Sequence, residues 1–254
     1  MRINGLPDEP DFIVPQWPAH TAIHAAFTVR TGGVSQAPFD TCNIAAHVGD
    51  DPRAVAENRA RLRSRLALPS EPAWLDQVHG HEVIDLDRQP PVASWGPADA
   101  SVARVSGRVC VIQVADCLPV LFAAADGSAV GAAHAGWRGL AGGVLEATVR
   151  AMGTPPAQLL AWLGPAIGQG NFEVGEDVRA AFLAADAAAG AAFLPNPRGR
   201  WQCDLYLLAR RRLATLGVSA VYGGGWCTHA DARRFFSYRR DGRCGRMAAL
   251  IWRA

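Results

Sequence analysis

VADCLPVLFAAADGSAVGAAHAGWRGL, residues 114–140, holds two apolar runs, one tight turn and the start of a helix. The first run, from Arg108 to Val114, is rich in β-branched residues, and Val120 to Ala125 continues it beyond Pro119. Asp126-Gly127 is a strong hairpin signal, so Ala129 to Ala135 is expected to return beside the preceding strand. Alternate residues of a strand share a face, which puts Val130, Ala132 and His134 on one side and Ala129, Gly131 and Ala133 on the other. Past Gly136, the helical spacing of Leu140, Val144, Ala147 and Ala151 predicts a helix that begins near Arg138. Its free amides, with Arg138 beside them, suit an anion. Cys117 and His134 are thus expected in one pocket, with an anion site between Gly136 and Gly139.

Composition narrows the possible chemistry. The chain has 254 residues and a formal charge of +2, and all 25 of its basic residues are arginine. Without lysine it can form no Schiff base and supply no P-loop lysine. No basic stripe calls for nucleic acid as a partner. The opening MRINGLPDEPDF lacks the apolar core of a signal peptide, and no run approaches the roughly 20 apolar residues of a membrane span. A cytoplasmic location and no membrane partner are therefore expected. Cysteines 42, 110, 117, 203, 227 and 244 are scattered through a chain too large to need disulfide staples, so they read as reduced thiols with a metal ligand among them. No linker or repeat divides residues 1–254, which predicts a single domain, and no association surface stands out, which predicts a monomer.

Upstream, Ala25 to Val29 reads as a strand that runs into Arg30-Thr31-Gly32-Gly33. That turn is either an ordinary hairpin or a place where Arg30 and the amide of Gly33 hold an anion or a sugar hydroxyl. Asn43 and His47 follow in a polar stretch. Asp51-Pro52 then starts an amphipathic helix over Ala54 to Leu66. The alternation in Trp74 to Val83 suggests a strand with Gln77, His79 and His81 on one face. His79, Cys117 and His134 would make a three-ligand zinc site with an open fourth position, and adding His81 would close it into a structural site.

Downstream, Leu159 to Ile167 reads as a strand. An alanine-rich helix follows from Gly175 to Ala189, and another runs from Leu205 to Leu216 behind Asp204, a good N-cap. Val218 to Tyr222 and Met247 to Trp252 are further strands. Phe235 to Gly242 reads as a packed turn with solvated arginines, or else as a substrate contact. Strands interleaved with helices predict an α/β fold of mixed sheet layers covered by helices.

Seven runs carry a family resemblance: Thr31 to Ser35, His47 to Pro52, Gln77 to Gly80, Ala115 to Pro119, His134 to Gly139, Gly164 to Gly168 and Phe235 to Gly242. In order and identity they resemble the laccase-domain family, once labelled polyphenol oxidases and now treated as purine nucleoside phosphorylases. The resemblance covers nearly the whole chain. One departure is Asn43-Ile44-Ala45-Ala46, where the family usually has asparagine, leucine and glycine. The resemblance implies a zinc site of His79, Cys117 and His134, with copper as the alternative ion. It also implies a single-domain layered α/β fold similar to the catalytic domain of cytotoxic necrotizing factors. The implied activity is phosphorolysis of adenosine, inosine and methylthioadenosine to base and ribose 1-phosphate, with deamination of adenosine to inosine. Its partners would be a purine nucleoside and phosphate.

On this reading Arg138 binds phosphate, Asp116 and Asp99 are candidate proton-transfer groups, and Gln77, Asn43, Arg30, Gly33 and Asp99 are candidate substrate contacts. Three rivals stand beside it. A copper oxidase of phenols would need several His-x-His pairs, and the chain has one, His79 to His81. A metal-free Cys117–His134 hydrolase, acting on a peptidoglycan precursor amide, is chemically coherent. A zinc-stabilised binding module would instead need four protein ligands and would unfold without metal.

Overall fold

The computed structural model describes residues 12–254 except 89, 91, 93 and 94. Residues 1–11, and with them nearly all of the stretch read as lacking a signal peptide, lie outside the described residues. In chain order come β1 (Phe12–Ile13), β2 (Ile23–Thr28), α1 (Pro52–Arg65), β3 (Val83–Asp85), β4 (Ala100–Ala103) and β5 (Val109–Val114). β6 (Leu118–Ala124), β7 (Val130–Ala135), α2 (Trp137–Gly142), α3 (Val144–Met152), β8 (Leu159–Leu163) and β9 (Glu173–Val174) follow. The remainder is α4 (Glu176–Leu183), β10 (Phe193–Pro195), β11 (Trp201–Cys203), α5 (Leu205–Thr215), β12 (Ala220–Gly223), α6 (Tyr238–Asp241) and β13 (Met247–Arg253).

Two sheets stack face to face between helices. One is antiparallel, in the order β1-β2-β13-β5. The other, β12-β8-β6-β7-β4-β3, is antiparallel at its centre and parallel where β12 meets β8 and β3 meets β4. Alternation decides which layer each side chain joins. On β5, Cys110, Ile112 and Val114 enter the space between the sheets with Phe27, Leu121 and Trp162, while Val109 and Val111 turn out towards Leu62 and Leu66 near α1. On the far face of the larger sheet, Val120, Phe122 and Ala133 pack against Leu145, Leu208 and Leu213 of the helices. Each such large side chain contributes about 1.5–3 kcal/mol by leaving water. A small third sheet, β10-β11-β9, lies beside these layers. No helix of the described residues is long and apolar enough to cross a membrane.

Several elements differ from the sequence expectation. β5 and β6, expected to be continuous, belong to different sheets. The chain crosses between them at Ala115 to Cys117, where Asp116 takes a positive φ of 91°. The hairpin forms as expected, with Gly127 at φ 77°. The helix predicted from Arg138 breaks at Gly143, whose φ of 95° ends α2 after six residues. A helix that short has little macrodipole, so an anion near its start would depend on the Arg138 side chain rather than on the helix. The alanine-rich helix stops at Leu183 because Asp186 leaves the helical path, accepting the amide of Ala188 and pairing with Arg211. The strand expected over Trp74 to Val83 is a loop as far as Glu82, and β3 begins at Val83.

Candidate metal centre

That loop is shaped from behind by one carboxylate. Asp99 is fully buried just before β4, and its Oδ2 accepts the amides of Val78 at 3.1 Å and Gly80 at 2.6 Å. Its Oδ1 accepts the amide of His79 at 2.9 Å, and the wrap is completed by a positive φ of 62° at His79. Three successive amides bent around an anion cannot belong to an extended strand, so His79 is lifted out of any sheet. The same Oδ1 lies 2.7 Å from Nδ1 of His134.

His134 stands near the end of β7 on the face shared with Val130 and Ala132, looking into the space between the sheets, as the alternation predicts. Cys117 sits where the chain has just crossed from one sheet to the other. The ligand atoms of His79, Cys117 and His134 lie within 4.8 Å of one another. Cys117 Sγ is 3.8 Å from His79 Nε2, and the two imidazole centroids are 4.8 Å apart. Burial falls from His134 through Cys117 to the exposed His79, so one side of the group faces solvent.

The electrostatics suit a cation. Burial alone would raise the Asp99 carboxyl, but the His134 imidazole and the amides of Gly80 and His79 outweigh it and hold Asp99 below its usual range. An ionised Asp99 takes the proton of His134 Nδ1 as a hydrogen bond, which leaves Nε2 to ligate. Burial likewise opposes the Cys117 thiolate, yet the charge of His134 and hydrogen bonds from both imidazoles bring the thiol down to about 6. Burial lowers His134, but the Cys117 thiolate and Asp99 prevail and raise it to about 9. Space is reserved as well. A Cβ on Gly136 would stand 2.9 Å from Cys117 Sγ and 3.0 Å from His79 Cδ2. Two imidazoles and a thiolate, oriented by a carboxylate behind them, fit a borderline-soft divalent ion.

His81 is exposed, with Nε2 3.8 Å from Glu82, and is not part of the group. The set is therefore three donors, not the four that a closed structural site would need. A cavity of about 450 Å³ opens at the centre and is lined by Arg138 and Gln77, as expected, and by His47, Gln113, Tyr238 and Arg246. Arg138 makes no hydrogen bond or ion pair among the described residues; its guanidinium lies 4.4 Å from the Trp137 ring. Gln77 lines the cavity, but its amide pairs with the backbone N and O of Gln113 and ties the His79 loop to β5.

Other expected contacts are turned inward. Arg30 pairs with Asp40 and donates to the Ala232 carbonyl. Gly33 is packed so closely that a Cβ would fall 2.3 Å from the Thr41 carbonyl. Asn43 is fully buried and binds Ala45, Asp50 and the Arg246 amide. Asp99 has both oxygens committed. These four, proposed from sequence as substrate contacts, hold loops in place. Asp116 is also committed, accepting from Thr228 and Ser237 hydroxyls and the Arg239 amide. It clips the 228–239 segment to the centre and leaves no oxygen free for proton transfer.

Sequence reasoning assigned no role to His47, Gln113, Phe172 or Arg246. The available signals were a glutamine inside an otherwise apolar strand and a histidine within one of the family-like runs. In the run Phe235 to Gly242, Phe235 and Phe236 are core, as a packed turn requires, while Tyr238 and Arg239 line a cleft beside the centre.

Over 243 residues the chain is 56% identical to a Pseudomonas aeruginosa protein named purine nucleoside phosphorylase, covering 95% of this chain and 98% of that one. It is 51% identical over 240 residues to the purine nucleoside phosphorylase YfiH of Escherichia coli, covering 94% and 98%. Among solved structures, a Neisseria meningitidis protein aligns with a TM-score of 0.92 at 46% identity, covering 96% of this chain and 99% of that one. YlmD from Geobacillus stearothermophilus aligns with a TM-score of 0.85 at 30% identity, covering 99% and 98%. Residues 24–254 match the family described as multi-copper polyphenol oxidoreductase laccase. With that match and relatives of such identity along nearly its whole length, the chain belongs to this family.

Proposed function

We propose that the protein is a zinc-dependent purine nucleoside phosphorylase. The observation that carries this reading is the His79–Cys117–His134 group, oriented by Asp99 and open on one side to a cavity with an unpaired arginine. The names of the P. aeruginosa and E. coli relatives support it. Zinc held by the three donors would supply a Lewis acid for an oxygen of phosphate or water. Copper is the alternative ion, though the family's description speaks of several coppers and the described residues contain one such donor group.

In the reaction a phosphate oxygen forms a bond to C1′ of the ribose as the C1′–N9 bond breaks. The electron pair leaves on the purine, which takes the proton brought by hydrogen phosphate, giving base and ribose 1-phosphate. Arg138 binds the phosphate and offsets its charge. Asp99 is a positioning residue that holds the His79 loop and the His134 ring, and Asp116 positions Tyr238 and Arg239. Adenosine deamination, in which water replaces the amino group and ammonia leaves, is proposed for the same centre. The catalytic unit is proposed to be the monomer.

The test is metal-replete protein with inosine, with and without phosphate. Hypoxanthine formed only with phosphate supports the reading, and its absence in both overturns it. Ammonia release from adenosine without phosphate tests the deaminase part.

The low thiol value of Cys117 beside His134 favours a second reading, a Cys-His hydrolase. It requires Cys117 to be free for attack in the active protein, so alkylation of the metal-loaded enzyme separates the two.

A further inference from the structure

A second, smaller cleft of about 130 Å³ reaches the metal centre from another side. It shares His79, Cys117, Arg138 and Tyr238 with the larger cavity, so the two meet at the centre. The smaller cleft carries the apolar side chains Trp137, Ile167, Phe172 and Leu205, with Arg138 and Arg239 at its wall. Arg239 donates to the Glu173 carbonyl and lies 5.2 Å from the Phe172 ring. The cleft includes Asp116, whose two oxygens already accept from the Thr228 and Ser237 hydroxyls and the Arg239 amide.

The larger cavity has no carboxylate among its lining residues, and it holds two arginines with donors to spare. Arg138 is unpaired among the described residues, and all of Arg246's side-chain hydrogen bonds are made by Nη1, to Cys244 and Gly245, which leaves Nε and Nη2 unused. Elsewhere arginines are matched by carboxylates, as in Arg198–Glu173, Arg211–Asp186 and Arg212–Glu146. The same wall carries Gln113, only 6% exposed, whose Oε1 has no partner in the protein. A buried amide oxygen without a partner costs about 1–3 kcal/mol, a cost removed by a ligand that donates to it. Gln113 is held rigidly for that purpose, since the Gln77 side chain grips both its backbone N and its backbone O.

We propose that the reactants occupy the two adjoining cavities at the metal centre: hydrogen phosphate in the cavity of Arg138, Arg246, His47 and Gln113, and the purine in the cleft of Trp137, Ile167, Phe172 and Leu205. The assignment rests on the phosphorolysis reading and adds residues that determine specificity. The two arginines are charge partners for the phosphate oxygens, and Gln113 Oε1 accepts the hydroxyl of hydrogen phosphate. The apolar cleft desolvates the flat faces of the base. A displacement at C1′ needs the incoming oxygen and the departing N9 on opposite sides of that carbon. The wall that both cavities share, His79, Ala115, Cys117, Arg138 and Tyr238, is where the ribose would lie between them.

The test uses metal-loaded protein, with inorganic phosphate and hypoxanthine as separate probes in calorimetric titration. Arg246→Gln, Arg138→Gln and Gln113→Leu should each weaken phosphate by about tenfold or more, and Arg246→Gln and Gln113→Leu should leave hypoxanthine within about twofold. Phe172→Ala should do the reverse, and the two probes should bind together in the wild type. Arg138→Gln covers the case in which Arg246→Gln disturbs the loop at 244–245, because Arg138 makes no hydrogen bond that its loss would break. Competition between the probes, a crossed pattern of losses, or phosphate affinity unchanged in all three variants would overturn the assignment. Inosine turnover by the wild type is scored separately. Its absence alongside the expected binding pattern would reject the reaction and keep the two sites, whereas turnover with a crossed pattern would reject the sites and keep the reaction.

Discussion

Replacing Asp99 by asparagine removes one acceptor oxygen and points an NH₂ at groups that are themselves donors. Oδ1 serves His79 N and His134 Nδ1, and Oδ2 serves Val78 N and Gly80 N, so either orientation of the amide strands two donors. The loop residues are partly exposed, so each stranded donor costs near the low end of about 1–3 kcal/mol, and the metal-free protein should lose roughly 2–3 kcal/mol. For a chain of this size that lowers the melting midpoint by roughly 4–12 °C. The loop that presents His79 and the proton that fixes His134 are disturbed together, so zinc affinity should fall about 10–100-fold. Thermal unfolding of the metal-free protein and competitive titration against a chromophoric chelator read the two effects. The depressed Asp99 carboxyl adds a sign. Its contribution is present above the ordinary carboxyl value and is lost as pH falls through the lower folded value. Wild type should therefore lose more stability than Asp99→Asn on acidification. An asparagine variant that binds zinc within about twofold of wild type and melts at the same temperature would refute this account of the centre.

Four further outcomes follow from the same geometry. In metal-stripped protein, Cys117 should alkylate with a midpoint near its value of about 6, and His134→Ala should move that midpoint up; bound zinc should abolish the reaction. The thiolate–imidazolium pair then stabilises the metal-free fold chiefly between about 6 and about 9, because its thiol is depressed and its imidazole raised, and denaturant melts across that window should show it. Gly136→Ala should cut zinc affinity by about tenfold or more without a comparable loss of stability, since the added methyl meets Cys117 Sγ at 2.9 Å and His79 at 3.0 Å; unchanged affinity in a chelator competition would count against the close approach. Phe122→Ala, in the layer between the larger sheet and its helices, should cost about 3–5 kcal/mol in denaturant melts and leave zinc affinity unaltered.

The fold was legible wherever a local period reported a face. Val130, Ala132 and His134 alternate towards the space between the sheets, and Asp51, Asp204 and Gly127 act as the caps and turn they resemble. What local pattern could not report was pairing across the chain. Nothing within Val109 to Ala124 says that its halves enter different sheets, because that depends on β13 being free to pair with β5. The strand expected over Trp74 to Val83 failed for a similar reason: its alternation is genuine, but a carboxylate twenty residues away captures three of its amides. The convergence of His79, Cys117 and His134 was readable because two imidazoles and a thiol are a distinctive donor set. The contacts were not, because arginine, asparagine and aspartate serve a loop as readily as a substrate, and Arg30, Asn43 and Asp99 all do the former.

The most direct test of the central claim is metal stoichiometry combined with X-ray absorption at the zinc edge, on the wild type and on Cys117→Ala, His79→Ala and His134→Ala. The account predicts one ion per wild-type chain, with one sulfur at about 2.3 Å and two imidazole nitrogens at about 2.0–2.1 Å, and loss of the ion in each variant. A wild-type spectrum without sulfur in the first shell, or a full complement of metal in Cys117→Ala, would contradict it.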